Sequence, residues 1–341
     1  MNPTRTTLAP GLEVSGLGLG AMALSHIYGQ TDPATALATA HHAIDAGMTF
    51  FDTADVYGQP RPGTVGPAGT NEEMLAQILA TRRDEVQLAT KFGITGNPAA
   101  GGGTRGDRDY VRSACEASLR RLGVEVIDLY YLHRRELSRP IEETVAAMAE
   151  LVDEGKVRHL GLSEVTATEL RAAATVHPIA AVQSEWSIWS RDVEDHVVPA
   201  AVELGVGFVP YSPLGRGFLT GTMTRERLAE IPVLNGEARF DTHFDANQSV
   251  VEVIGRVAQE LEATSAQVAL AWLLAQGQRH GLSVVPIPGT RRAERIDENL
   301  GALALTLSTK QLTALDGASE LVHGSRNFSW SSDDWISSGR E

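Results

Sequence analysis

The chain has a single cysteine, Cys115, in 341 residues, so no intramolecular disulfide holds it together. Such a chain fits a reducing compartment. Basic charge is also scarce. Against 43 Asp and Glu stand only 29 Lys and Arg, a formal net charge of -14. Nucleic acid and anionic membrane surfaces both require a basic face on their partners, so neither is expected here. No apolar run is long enough to span a bilayer, and Met1–Arg5 opens no apolar signal segment. The expectation is a cytoplasmic protein without a membrane or nucleic-acid partner. Paired histidines at metal-ligand spacing are missing as well, so no metal site is expected. There is no internal repeat and no Pro/Ser-rich linker, and residues 1–341 read as one domain.

What the chain does have is alternation. Short apolar runs recur with helical segments between them, the pattern of βαβ units and a parallel sheet. The runs are 16–20, 49–52, 86–91, 129–133, 159–163, 180–184, 206–211 and 282–286. Eight strands favour a closed α/β (β/α)8 TIM barrel over an open doubly wound sheet. Helix starts are marked by Asp32-Pro33, by the capping-box pattern Thr166-Ala167-Thr168-Glu169, and by Pro140 with acid in the first turn. The setting of Cys115 reads as a packed helix position.

Three segments break the alternation. Gly58 to Thr70 holds three prolines and four glycines, Gly215 to Gln248 is a long connection, and the tail 321–341 is polar but carries Phe328, Trp330 and Trp335. Loops of this length in a compact domain are often functional lids. The tail is expected to lie over the barrel mouth.

In a (β/α)8 barrel the active site gathers at the C-terminal ends of the strands. Asp52, Lys91 and His133 each end one of three consecutive strands, and Tyr57 follows the first. A Lys charge held by an Asp lowers the cost of ionising a nearby phenol, which suits Tyr57 to proton transfer. Ser163 and Gln183, ending the fifth and sixth strands, are of the kind that orients a ligand, and the Tyr211 ring offers a stacking surface for a planar cofactor. Arg291, Arg292 and Arg295 follow the eighth strand at a helix start, where barrels commonly hold phosphate. Gly16 to Ala21 formally satisfies a dinucleotide fingerprint, but no helix signal follows before Asp32, so a Rossmann domain is rejected. One reading of this constellation is a metal-dependent barrel hydrolase using Asp52, His133 and Glu185.

Taken together, Asp52-Thr53-Ala54-Asp55-Val56-Tyr57-Gly58, Lys91, Leu132-His133, Gly161-Leu162-Ser163, Gln183, Tyr211 to Gly215 and Pro286 to Gly289 resemble the aldo-keto reductase superfamily over nearly the whole chain. Gly161 to Glu164 and Val209 to Gly217 look most like the branch of bacterial and plant members that includes perakine reductase. The resemblance implies a catalytic tetrad of Asp52, Tyr57, Lys91 and His133, and NADPH as cofactor. It implies Tyr211 stacked on the nicotinamide, with Ser163 and Gln183 on its carboxamide. Gly20, Ala21 and Met22, then Ser212, Leu214 and Arg216, would lie along the cofactor. Pro288, Gly289 and Thr290 would do so too, and Arg291, Arg295, Glu298 and Asn299 would hold the adenosine phosphate end. Glu164 stands where many relatives have Asn. Gly289 stands where some have a lysine for the 2′-phosphate, which leaves that work to Arg291 or Arg295. The expected reaction is reduction of an aldehyde or ketone, with a bulky, apolar carbonyl compound as substrate; the alternative is a nicotinamide-binding sensor or accessory subunit that keeps the barrel but hardly turns over.

Overall fold

The apolar runs lack polar alternation because both of their faces are covered, as parallel strands inside a ring of helices require. The computed structural model describes residues 4–25, 28, 31–96 and 102–341. A hairpin of β1 (Arg5–Ala9) and β2 (Leu12–Ser15) comes first. Seven parallel strands follow: β3 (Gly18–Gly20), β4 (Phe50–Asp52), β5 (Gln87–Phe92), β6 (Ile127–Leu132), β7 (Val157–Ser163), β8 (Ile179–Glu185) and β9 (Gly207–Tyr211). Their spatial order is their chain order.

The eighth stave differs from a regular strand. Residues 283–288 run between β9 and β3, where Val285 and Ile287 donate to Phe208 and Pro210, and Pro286 and Pro288 accept from Gly18 and Gly20. The two prolines have no N–H to return to β3, so only half of that ladder forms. The barrel is nevertheless closed.

Helices α1 (Pro33–Asp45), α2 (Thr70–Arg82), α3 (Arg108–Leu122), α4 (Ile141–Asp153), α5 (Ala167–Ala174) and α6 (Val197–Leu204) alternate with the strands. After β9 come α7 (Arg225–Ala229), α8 (Phe244–Glu260), α9 (Ser265–His280), α10 (Ala293–Leu300) and α11 (Thr309–Gly317). The expected caps form: Asp32 accepts from the Thr35 N–H at 2.9 Å, and Thr166 and Glu169 bond reciprocally. Cys115 is buried in α3. No helix among the described residues is long and apolar enough to cross a membrane.

The barrel interior is filled by Phe50, Ala89, Leu129, Tyr131, Ala181, Val209, Val285 and Ile287, and the hairpin seals its lower end with Leu8, Leu12 and Val14. Space there is tight. A Cβ on Gly161 would lie 2.4 Å from the Tyr131 ring, and one on Gly207 would lie 2.5 Å from Leu8. Since side chains alternate along a strand, the next inward position toward the upper end is two residues on. From Phe50 this reaches Asp52, from Ala89 Lys91, and from Tyr131 His133. From Gly161 it reaches Ser163, from Ala181 Gln183, and from Val209 Tyr211.

The Gly215–Gln248 connection is more ordered than its composition suggests. It contains α7, and α8 already begins at Phe244. Its Phe218, Phe240 and Phe244 form an aromatic cluster with Trp189, with Phe218 5.0 Å from the indole. Hydrophobic burial supplies the order here, without helical periodicity over the whole segment.

Candidate active site

At the centre of the upper face Lys91 is fully buried. Burial penalises its ammonium, but Asp52 and the Tyr57 phenol more than offset this and hold it charged above its ordinary value. Its Nζ donates to Asp52 Oδ1 at 2.5 Å and to the Thr53 carbonyl at 2.8 Å, and it reaches the Tyr57 hydroxyl at 3.3 Å. Tyr57 lies beyond β4 in a segment pinned by backbone bonds, the Tyr57 N–H donating to Ala54 and its carbonyl accepting from Asn71. His133 meets the Tyr57 ring edge-on, with centroids 5.7 Å apart at 87°.

The electrostatics differ from the sequence expectation in one respect. Burial raises the Tyr57 phenol above its ordinary value near 10.0, and Lys91 opposes this rise without cancelling it. The lysine therefore does not depress the phenol below the free value. His133 moves the other way: burial, Lys91 and Arg134 hold it well below 6.5, so its imidazole is neutral at neutral pH. Its Nδ1 is buried with no hydrogen-bond partner among the described residues.

Tyr57 and His133 open onto a cavity of about 550 Å³, a volume within the usual range for a small-molecule site. Gly20, Met22, Ser163, Gln183, Tyr211, Ser212, Leu214 and Arg216 line it, and it ends among Pro288, Gly289, Thr290, Arg291, Arg295 and Asn299. Ala21 and Glu298 are not part of this wall. The Ala21 carbonyl accepts from Asn71 at 2.9 Å, and Glu298 forms an ion pair with Arg295 within α10. Gln183 donates to Asp52 Oδ2 at 2.8 Å, and Ser163 accepts from Arg134 at 3.2 Å. Glu185, the third residue of the hydrolase reading, is paired with Arg216 at 2.9 Å.

Residues 16–320 match the Aldo/keto reductase family. The chain belongs to that family. It is 44% identical over 333 residues to a protein of Glycine max named "Probable aldo-keto reductase 1", covering 94% of this chain and 92% of the relative. Among solved structures, a thermostable aldo-keto reductase in complex with the inhibitor epalrestat is similar at 28% identity and a TM-score of 0.70, over 93% of this chain and all (100%) of the other. The holo form of an aldo-keto reductase from Bacillus halodurans gives 25% and 0.74, over 95% and 97%. A glycerol dehydrogenase from Gluconobacter oxydans gives 24% and 0.79, over 93% and 94%, a likeness of fold.

Aldo-keto reductases are oxidoreductases of small carbonyl compounds that bind nicotinamide cofactors, and the groove of this member fits such a group. A ring surface (Tyr211), small polar side chains and a cationic end lie along one cavity. Arg216 Nη1 is buried in that wall with no hydrogen-bond partner among the described residues. Several residues of the groove were not foreseen from sequence. Arg227 of α7 lines it beside the three arginines, and Arg326 lines it from the tail, alongside the Phe328, Trp330 and Trp335 that the sequence had singled out. Arg134 also faces it, and its position directly after His133 was a usable signal. Arg326 carried none, since its partner Glu164 is 162 residues away.

Proposed function

We propose that this aldo-keto reductase reduces aldehydes or ketones to alcohols with NADPH. The reading rests above all on the chain Asp52–Lys91–Tyr57, continuous at 2.5 and 3.3 Å, with neutral His133 against the phenol at the floor of the cavity. When bound, a reduced nicotinamide supplies the hydride to the carbonyl carbon. Tyr57 gives its proton to the developing alkoxide oxygen, and the neutral imidazole of His133 orients and polarises that oxygen through a hydrogen bond. Lys91 stabilises the tyrosinate left behind, and Asp52, itself held by Gln183, keeps Lys91 charged and in place. A phenol protonated across the neutral range is suited to the reductive direction.

Arg291, Arg292, Arg295 and Arg227 gather at the far end of the groove. Their guanidinium groups suit a phosphate monoester and support NADPH over NADH. Phe328, Trp330 and Trp335 over the mouth support bulky, apolar carbonyl substrates. Glu164 beside Ser163 supports placement in the perakine reductase branch, and the lone buried cysteine supports a cytoplasmic location. The test is a panel of aldehydes and ketones mixed with NADPH, following cofactor oxidation with and without a chelator. Carbonyl-dependent oxidation that the chelator does not alter is expected; none with any carbonyl would overturn the reading.

A further inference from the structure

Directly after Ser163, Glu164 takes a φ of 50°, a left-handed conformation uncommon for a residue with a long side chain. Its carboxylate is almost wholly buried. A buried charge is costly unless its oxygens are filled, and these are. Oε1 accepts from the Tyr211 hydroxyl at 2.9 Å, Arg326 Nη1 at 2.9 Å and the Glu185 N–H at 3.1 Å. Oε2 accepts from Arg326 Nη2 at 3.1 Å and from the Ser337 N–H and hydroxyl at 2.9 and 3.1 Å. Arg326 also reaches Asp192 with Nε at 2.9 Å and Nη2 at 2.8 Å.

One carboxylate thus collects the ring on the cofactor groove, the exit of β8, and two points of the C-terminal tail. Between those two points run Phe328, Trp330 and Trp335, stacked or edge-on to one another. Trp335 also lies against Arg134, the neighbour of His133. We propose that Glu164 is a positioning residue which, through Arg326, joins the Tyr211 ring and the aromatic tail into one preset wall that selects bulky carbonyl substrates. The inference rests on the reductase reading for its substrate. The end of the tail has its own attachment as well: Arg340 pairs with Glu169 at 3.0 Å, and Glu341 accepts from the Ala167 N–H at 2.8 Å. Loosening Glu164 should therefore shift the wall without releasing the whole tail.

The test uses the full chain with Glu164→Gln, which keeps the shape but loses the charge, and with Glu164→Gln/Arg326→Met, which leaves neither charge uncompensated at this contact. Two readouts are combined. The first is KM for a bulky aryl ketone relative to that for a short aliphatic aldehyde. This ratio should rise about fivefold or more, the lower end of ordinary coupling between sites. The second is acrylamide quenching of tryptophan fluorescence. Trp186, Trp189 and Trp272 are at most 2% exposed, whereas Trp330 is 37% exposed, so quenching reports the tail, and it should increase. An unchanged KM ratio in both variants, or equal losses for both substrates, would overturn the proposal. If Glu164→Gln does not fold, Arg326→Lys keeps the charge but removes the fork, and the same two shifts are expected of it. If the wild-type chain reduces no carbonyl, the function reading fails and quenching alone decides the wall. Quenching that matches the wild type in every variant would then overturn it.

Discussion

In the proposed reaction Tyr57 is the residue on which the chemistry turns, since burial keeps its phenol protonated. Tyr57→Phe removes one hydroxyl and should leave cofactor binding nearly intact. Turnover should fall roughly 10²-fold or more, the scale of losing a general acid. Near-normal kcat in that variant would take Tyr57 out of the mechanism. The pH profile follows from the same burial. The proposed reduction requires Tyr57 protonated, and its pKa is raised; it requires His133 neutral, and its pKa is lowered. Both required forms therefore persist across the neutral range, and kcat/KM for reduction should stay flat from about pH 6 to about pH 9. A limb inside that window, measured with saturating cofactor, would mean that one of the two shifts is wrong. At this scale the sequence was informative about position, because two-residue alternation carries each interior strand residue to a polar one at the mouth. It was misleading about charge. Lys91 beside Tyr57 suggested a depressed phenol, whereas the sign depends on how much water the fold removes.

Among the elements, α10 bears on the proposed preference for NADPH. Arg295 lies at the end of the groove, but Glu298 one turn later already holds it. Arg295→Ala should weaken NADPH binding by about 1.5–3 kcal/mol, the range of a charge-assisted hydrogen bond, and leave NADH almost untouched. Equal losses for the two cofactors in a titration would assign Arg295 to structure or to a phosphate both share. The exit of β7 gives a second expectation. Burial pushes the Glu164 carboxyl up, but Arg326, Arg134 and the Ser337 bond pull it far below its ordinary 4.5. Because the folded value lies below the unfolded one, its contribution to stability is present above that ordinary value and is lost as pH falls below it. Urea midpoints should therefore drop between about pH 5 and about pH 3, and drop less in Glu164→Gln. Identical acid limbs in the two proteins would remove Glu164 as the cause. The caps at Asp32 and Thr166 were legible because capping is local in sequence. The order within the Gly215–Gln248 connection was not, since it comes from packing against Trp189.

For the molecule as a whole, the tail lines the cavity at the upper end of the barrel, while the hairpin seals the lower one. Deleting residues 321–341 would strip Arg326 and Ser337 from Glu164 and leave a buried carboxylate unpaired. A loss of about 3–5 kcal/mol is expected, the usual result of breaking a buried pair on one side. Denaturant unfolding measures it, and a truncated chain as stable as the full one would show that water can satisfy Glu164.

The sequence alone determined the barrel, the order of its strands and the residues at their upper ends, because each follows from periodicity and short-range signals. The tertiary structure alone decided that Glu164 meets Arg326, that Gln183 holds Asp52, and that Tyr57 is a weaker acid than free tyrosine. These facts depend on distance and desolvation between segments far apart in the chain, and neither quantity is written in any local stretch of it.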